Sequence, residues 1–262
     1  MPAHAWLMAP VIAAYLLAAG FYFAEVFFQR EASAARGRWL LIGAAALQGV
    51  ALVGHSVASP QFFNVLETST IVVWLVVVAF LLLERRARMT AGGVFVTPLA
   101  FLISVSMLGL PAGRAPQDLD KRWLWPHLGA LVLGITTLGL AVCCALVYLT
   151  SEHVLKSKHG VRALRHFPSL DTADRLVVGL TAFGLSMLTA GIATGVLWSY
   201  ALARPAPWTE PRTLLSLGAW LLFATYLFVR QVVGWQGSRA KWVIVAGFGL
   251  LVLTMIGYRV AA

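Results

Sequence analysis

The sequence predicts an all-α, polytopic membrane helix bundle of about eight transmembrane helices with both termini extracytoplasmic. Three observations carry that expectation. Apolar residues make up 60% of the chain and charged residues 11%, with a mean hydropathy of +0.83, far from the composition of soluble domains. The apolar residues fall in eight runs, each near the roughly 20 residues a helix needs to cross about 30 Å of hydrocarbon. The twenty Lys and Arg residues also lie far more on one side of those runs than on the other. Continuous runs of this length lack the alternating pattern of a transmembrane barrel, and a helix satisfies its backbone hydrogen bonds within a single segment.

The first span covers about residues 6–28. Its leader, "MPAHAW", has no Lys or Arg, and the apolar run exceeds the roughly 7–15 residues of a signal-peptide core, so it reads as a retained span. The second, about 39–58, starts at Trp39 and runs past His55; the third, about 68–84, stops at the charged "ERRAR"; the fourth, about 93–111, stops at "LPAG". The fifth, about 124–150, is the longest apolar run and holds Cys143 and Cys144. Neighbouring cysteines on a helix point in different directions, and no second pair completes a metal site, so they read as small apolar filler. The sixth, about 177–200, carries Gly191 and Gly195 at the small-xxx-small spacing that lets helices approach closely. The seventh and eighth cover about 213–230 and 242–260. The longest connection, about residues 151–176, is too short for a soluble domain, and residues 1–262 read as a single integral membrane domain.

A net charge of +10 suggests a nucleic-acid partner until the charges are placed. Fourteen basic residues follow helices 1, 3, 5 and 7, whereas six lie on the opposite side. By the positive-inside rule the heavily basic side is cytoplasmic, so the basic loops are topology signals near anionic lipid and no nucleic acid is expected.

The spans carry little chemistry. No Asp, Glu, Lys or Arg lies near the middle of any of them, which removes the usual marks of an ion-coupled transporter. Ser186 has no His on a neighbouring span at matching depth to activate it, and neither a dithiol pair nor a nucleotide-binding segment is present. The protein is therefore not expected to be an enzyme. His153, His159 and His166 lie among basic residues of the 151–176 connection and read as solvated; His4 precedes the first span. His55 and His127 differ. Counted at about 1.5 Å per residue from Trp39 and Trp123, each lies about 6 Å below the outer surface of the hydrocarbon. Two neutral imidazoles at one depth suit the axial positions of a haem iron, although an interfacial His is also a common hydrogen-bonded anchor. Trp123, Trp125, Trp198 and Trp208 are expected at the same face, either as an aromatic belt or as flat apolar surface for a macrocycle.

Four segments, in order, resemble the cytochrome c assembly proteins, the CcsA-like and CcmC-like haem-handling membrane proteins. They are "FNVLETSTIVVW", "RWLWPHLGALVLGITTLGLAVCCALVYLTSEHVLK", "FPSLDTADRLVVGLTAFGLSMLTAGIATGVLW" and "GWQGSRAKWVIVAGFGLLVLTMIGY". The first is similar to the family's Asn-x-x-Glu-Ser segment and the second to its outer His followed by a long helix. The third is similar to its Pro-Ser-Leu-x-x-x-Asp segment and the fourth to its closing Gly-Trp-x-Gly-x-x-Ala helix. A chain of 262 residues resembles the short HemX-like and YpjD-like branch. The Trp-rich outer loop of haem-transferring members is reduced here to Trp208, Glu210, Pro211 and Arg212, and Phe228 stands where those members have a histidine. Of their haem ligands, the resemblance carries over only His127.

The resemblance implies a haem-binding, haem-handling protein of the bacterial inner (cytoplasmic) membrane related to cytochrome c biogenesis. Haem b would be held at the outer leaflet by His127, with Trp125, Trp198 and Trp208 around it. His55 as the second iron ligand follows from depth alone. Other cytochrome c maturation or haem-metabolism proteins are then the expected partners, beside the lipid bilayer. Two alternatives come from other classes: a non-haem scaffold or regulator acting through the 151–176 loop, and a small-molecule permease.

Overall fold

Among the described residues the eight apolar runs fold as eight α-helices: α1 (His4–Phe28), α2 (Ser33–Ala58), α3 (Val65–Ala87), α4 (Gly93–Met107), α5 (Lys121–Ser157), α6 (Leu170–Ala201), α7 (Pro211–Phe228) and α8 (Ser238–Gly257). The structure, a computed structural model, describes residues 4–30, 32–58, 65–87, 89–107, 121–157, 161–201, 211–235 and 237–257, and no strand occurs among them. Six helices, α1 to α3 and α5 to α7, are long and apolar enough to cross a membrane, and α4 is a shorter apolar helix.

The helices outrun the apolar runs at several ends, because hydropathy marks only the part of a helix that needs an apolar solvent. The 151–176 connection, expected as a loop, is largely helical. α5 continues to Ser157, a 3-10 turn covers Val161–His166, and α6 begins at Leu170. Lys156 donates to Glu152 Oε1 one turn earlier at 2.6 Å, a spacing that supports the polar end of α5. His153 is accordingly an exposed residue of α5, and His166 belongs to the 3-10 turn. His159 lies outside the described residues.

Tertiary packing divides the chain into two compact units, residues 1–116 with 150–172, and residues 117–149 with 173–262. In the first, α1 packs along α2 and α4, and α3 packs against α2 and α4. Its interior is apolar, with fully buried Tyr15, Tyr22, Leu41, Phe80 and Met89, and several of its buried polar groups are paired. Gln48 accepts from Tyr15 O–H and donates to Thr70 O at 3.1 Å. Arg38 donates to both oxygens of Glu84 at 2.9 Å, and Tyr22 O–H donates to the same carboxylate at 3.2 Å. Between α1 and α2 the chain turns sharply, with Gln29 and Ala32 at φ of 54° and 60°. Glu25 Oε2 accepts the Ser33 and Ala34 N–H groups at 2.8 and 3.1 Å, so a carboxylate from α1 caps the positive end of α2.

In the second unit α5 and α6 pack through small residues. A Cβ on Gly184 would come within 2.7 Å of Leu138 Cγ, so only glycine allows this approach. α7 and α8 pack on Phe223, Tyr226 and Ile244, all fully buried. After α7 the chain makes a π-helical turn over Val229–Val233 and ends at Gly234 in the left-handed region, φ 73°.

Candidate functional site

His127 is the seventh residue of α5, behind Pro126. It lies in a notch that α6 leaves open by having no side chain at position 195, where a Cβ would come within 2.8 Å of His127 Cε1. The imidazole Nδ1 is 2.8 Å from Gly191 O. A carbonyl oxygen only accepts, so Nδ1 carries the proton and donates, and in the neutral ring the lone pair is on Nε2. Thr194 closes the same corner, with its hydroxyl donating to Ala190 O at 2.7 Å and Gly191 O at 3.0 Å. One turn beyond the notch is Trp198, its ring centroid 6.0 Å from that of His127 and inclined by 57°. The Trp198 indole N–H is buried without a hydrogen-bond partner.

The arrangement brings together two of the expected site residues, His127 and Trp198. Trp125 is on the same helix as His127 but more than half exposed, as suits a ring at a membrane interface. His55 lies on α2 in the other unit, and its side chain is outside the described residues, as is all of Trp208. Cys143 and Cys144 are buried in α5 as free thiols among apolar neighbours.

A family model described as "Cytochrome C assembly protein" matches residues 62–262. The chain belongs to that family. The match takes in α3 to α8, with His127 and Trp198, and starts after His55. Among curated relatives, the "Cytochrome c biogenesis protein CcsA" of Guillardia theta is 26% identical, covering 74% of this chain and 71% of its own length. "Protein HemX" of Bacillus subtilis is 24% identical over 87% of this chain and 85% of its own. The "Inner membrane protein YpjD" of Escherichia coli K12 is 24% identical over 80% and 83%. No solved structure matches.

In this cytochrome c assembly protein a second polar centre went unnoticed in the sequence. Asp174, near the start of α6, takes Lys241 of α8 on Oδ1 and Arg230 of the π-helical turn on Oδ2. Lys241 is fully buried, its Nζ 4.2 Å from the centroid of the Tyr148 ring. The Tyr226 hydroxyl and Arg230 Nε are buried with no partner. Asp174 and Lys241 do fall in the third and fourth resemblance segments, which was the available signal. Their pairing spans 67 residues, and residue spacing does not reveal it.

Proposed function

We propose that the protein is a multi-pass inner-membrane haem-binding protein that holds haem at the outer leaflet through His127. The observation that supports this best is the fixed tautomer of His127. With Nδ1–H tied to Gly191 O, Nε2 keeps a lone pair for a metal, and a backbone acceptor behind the ring is the usual way a ligating histidine is oriented and made more basic. The site chemistry fits the group. An imidazole nitrogen would ligate the iron, and the buried, unpartnered Trp198 indole N–H would donate to a carboxylate of the same group. Membership in the cytochrome c assembly family, and relatives named for cytochrome c biogenesis, support haem over other planar ligands.

Bound haem would supply an iron centre for delivery to another protein or for electron transfer, and this chain's part is to position and shield it. His127 fixes orientation, Gly195 leaves the imidazole its space, and Trp198 excludes water from one side of the ring. The protein itself carries out no covalent step, and other cytochrome c maturation proteins are the partners this role requires. The test is the absorption spectrum of detergent-solubilised protein loaded with haem, before and after dithionite. Wild type should show a Soret band near full occupancy, His127→Ala should lose most of it, and Trp198→Phe should keep the band with weakened retention. A full-occupancy, unshifted spectrum in His127→Ala would overturn haem ligation at this site.

A further inference from the structure

The helix ends around Asp174 carry four cations, Arg175, Arg230, Arg239 and Lys241, against one further carboxylate, Asp171, three residues earlier on α6. The cluster itself sets two cations on one carboxylate. Each carboxylate oxygen is already taken, one by a lysine with no exposed side-chain surface. A buried excess of positive charge is costly unless an anion balances it. The two polar groups left over, Arg230 Nε–H and Tyr226 O–H, are both donors, and both are buried without partners on a residue of the cluster or within electrostatic reach of it. Outside the cluster the surface turns apolar, since Phe228, Val232, Val233, Trp235 and Trp242 are each more than half exposed.

From this geometry we infer a binding site for an acidic phospholipid at the junction of α6, α7 and α8, with the headgroup phosphate accepting from Arg230 Nε–H and Tyr226 O–H. The acyl chains lie along Phe228, Val232 and Trp242. Free phosphate would satisfy the donors but would leave that apolar surface unused. The basic side of the protein is also where anionic lipid is concentrated. Lys241 and Asp174 form the floor of the site, and Asp174 offsets the repulsion between the buried Lys241 and the partly buried Arg230.

The test compares thermal unfolding of the full chain in detergent with added phosphatidylglycerol, phosphatidylcholine of the same acyl chains, or inorganic phosphate. Phosphatidylglycerol should raise Tm, whereas the other two should not. Tyr226→Phe removes one donor and no charge, so it separates a built site from general attraction to a basic surface. Its apparent affinity for phosphatidylglycerol should fall on the order of 10–100-fold, the worth of one hydrogen bond to a charged group, with the lipid-free Tm nearly unchanged. Arg230→Lys, which keeps the charge and loses the Nε–H, should lose affinity to a similar degree, with a lower lipid-free Tm because its pair with Asp174 is altered, and Arg239→Gln should change affinity less than either. Equal phosphatidylglycerol affinity in wild type, Tyr226→Phe and Arg230→Lys would overturn the site. So would stabilisation by phosphatidylcholine or by inorganic phosphate alone.

Discussion

A single methyl group at position 195 would occupy the space of the His127 ring. Gly195→Ala places a Cβ 2.8 Å from His127 Cε1, so the imidazole must rotate or α5 must withdraw. Overpacking of this kind costs about 1–3 kcal/mol. The expected outcome is a fully helical protein with modestly lowered Tm and a weakened or shifted Soret band; an unchanged haem spectrum would mean that the notch does not hold the ring. At this scale the site was partly legible. His127 stands out in sequence because a polar residue at the lip of an apolar run needs a reason. Gly191 and Gly195 stand out by spacing. That Gly195 leaves room for the ring and Gly191 O takes its N–H was hidden, since the hydrogen bond joins residues 64 apart and depends on the rotation of α5 about its axis. Trp198 was expected as an outer-face aromatic, but its place beside His127 and its missing hydrogen-bond partner are properties of packing. The depth estimate for His55 uses helix length alone, and a shared depth does not say which helices are neighbours.

Among elements, the corner between α1 and α2 carries a titratable lock. His166 of the 3-10 turn sits with Nδ1 3.9 Å from Glu25 Oε1, the carboxylate that caps α2, while Arg165 Nε donates to His166 Nε2 at 2.8 Å. Burial and the neighbouring Arg165 charge hold the His166 imidazole below its usual range, with Glu25 opposing them. Above about pH 6.5 the ring is neutral whether the chain is folded or not, and the contribution is fully present. As pH falls from there toward the lowered folded value, the unfolded chain takes up a proton that the folded one resists, and stability declines. The Tm of wild type should therefore drop between pH 7.5 and 5.5 by more than that of His166→Gln; parallel curves would remove His166 from the lock. Of the elements themselves, the eight helices among the described residues were legible as apolar runs, and six of them are long and apolar enough to cross a membrane. Their ends were not legible, because polar helix such as residues 151–157 has no hydropathy signal and is held by pairs such as Glu152–Lys156.

For the molecule as a whole, the sequence speaks most directly about orientation, through the fourteen-to-six division of basic residues. With Cys143 and Cys144 replaced by Ala, single cysteines at positions 3 and 262 should both react with an impermeant maleimide applied from outside an intact inner membrane. Protection of both would reverse the protein and carry His127 to the inner leaflet. The arrangement of helices into two units is tertiary, as is the gathering of Asp174, Arg230 and Lys241, and neither is encoded in any one segment. The π-helical turn at Val229–Val233 shows the difference between composition and count. A π turn accommodates one residue more than an α turn, so the spacing between Arg230 and Lys241, which meet on Asp174, is set by how many residues occupy the stretch and not by which ones do. Swapping Val232 for another apolar residue preserves that tally; removing it would leave the stretch as greasy as before but one residue short between Arg230 and Lys241, the two cations that share Asp174.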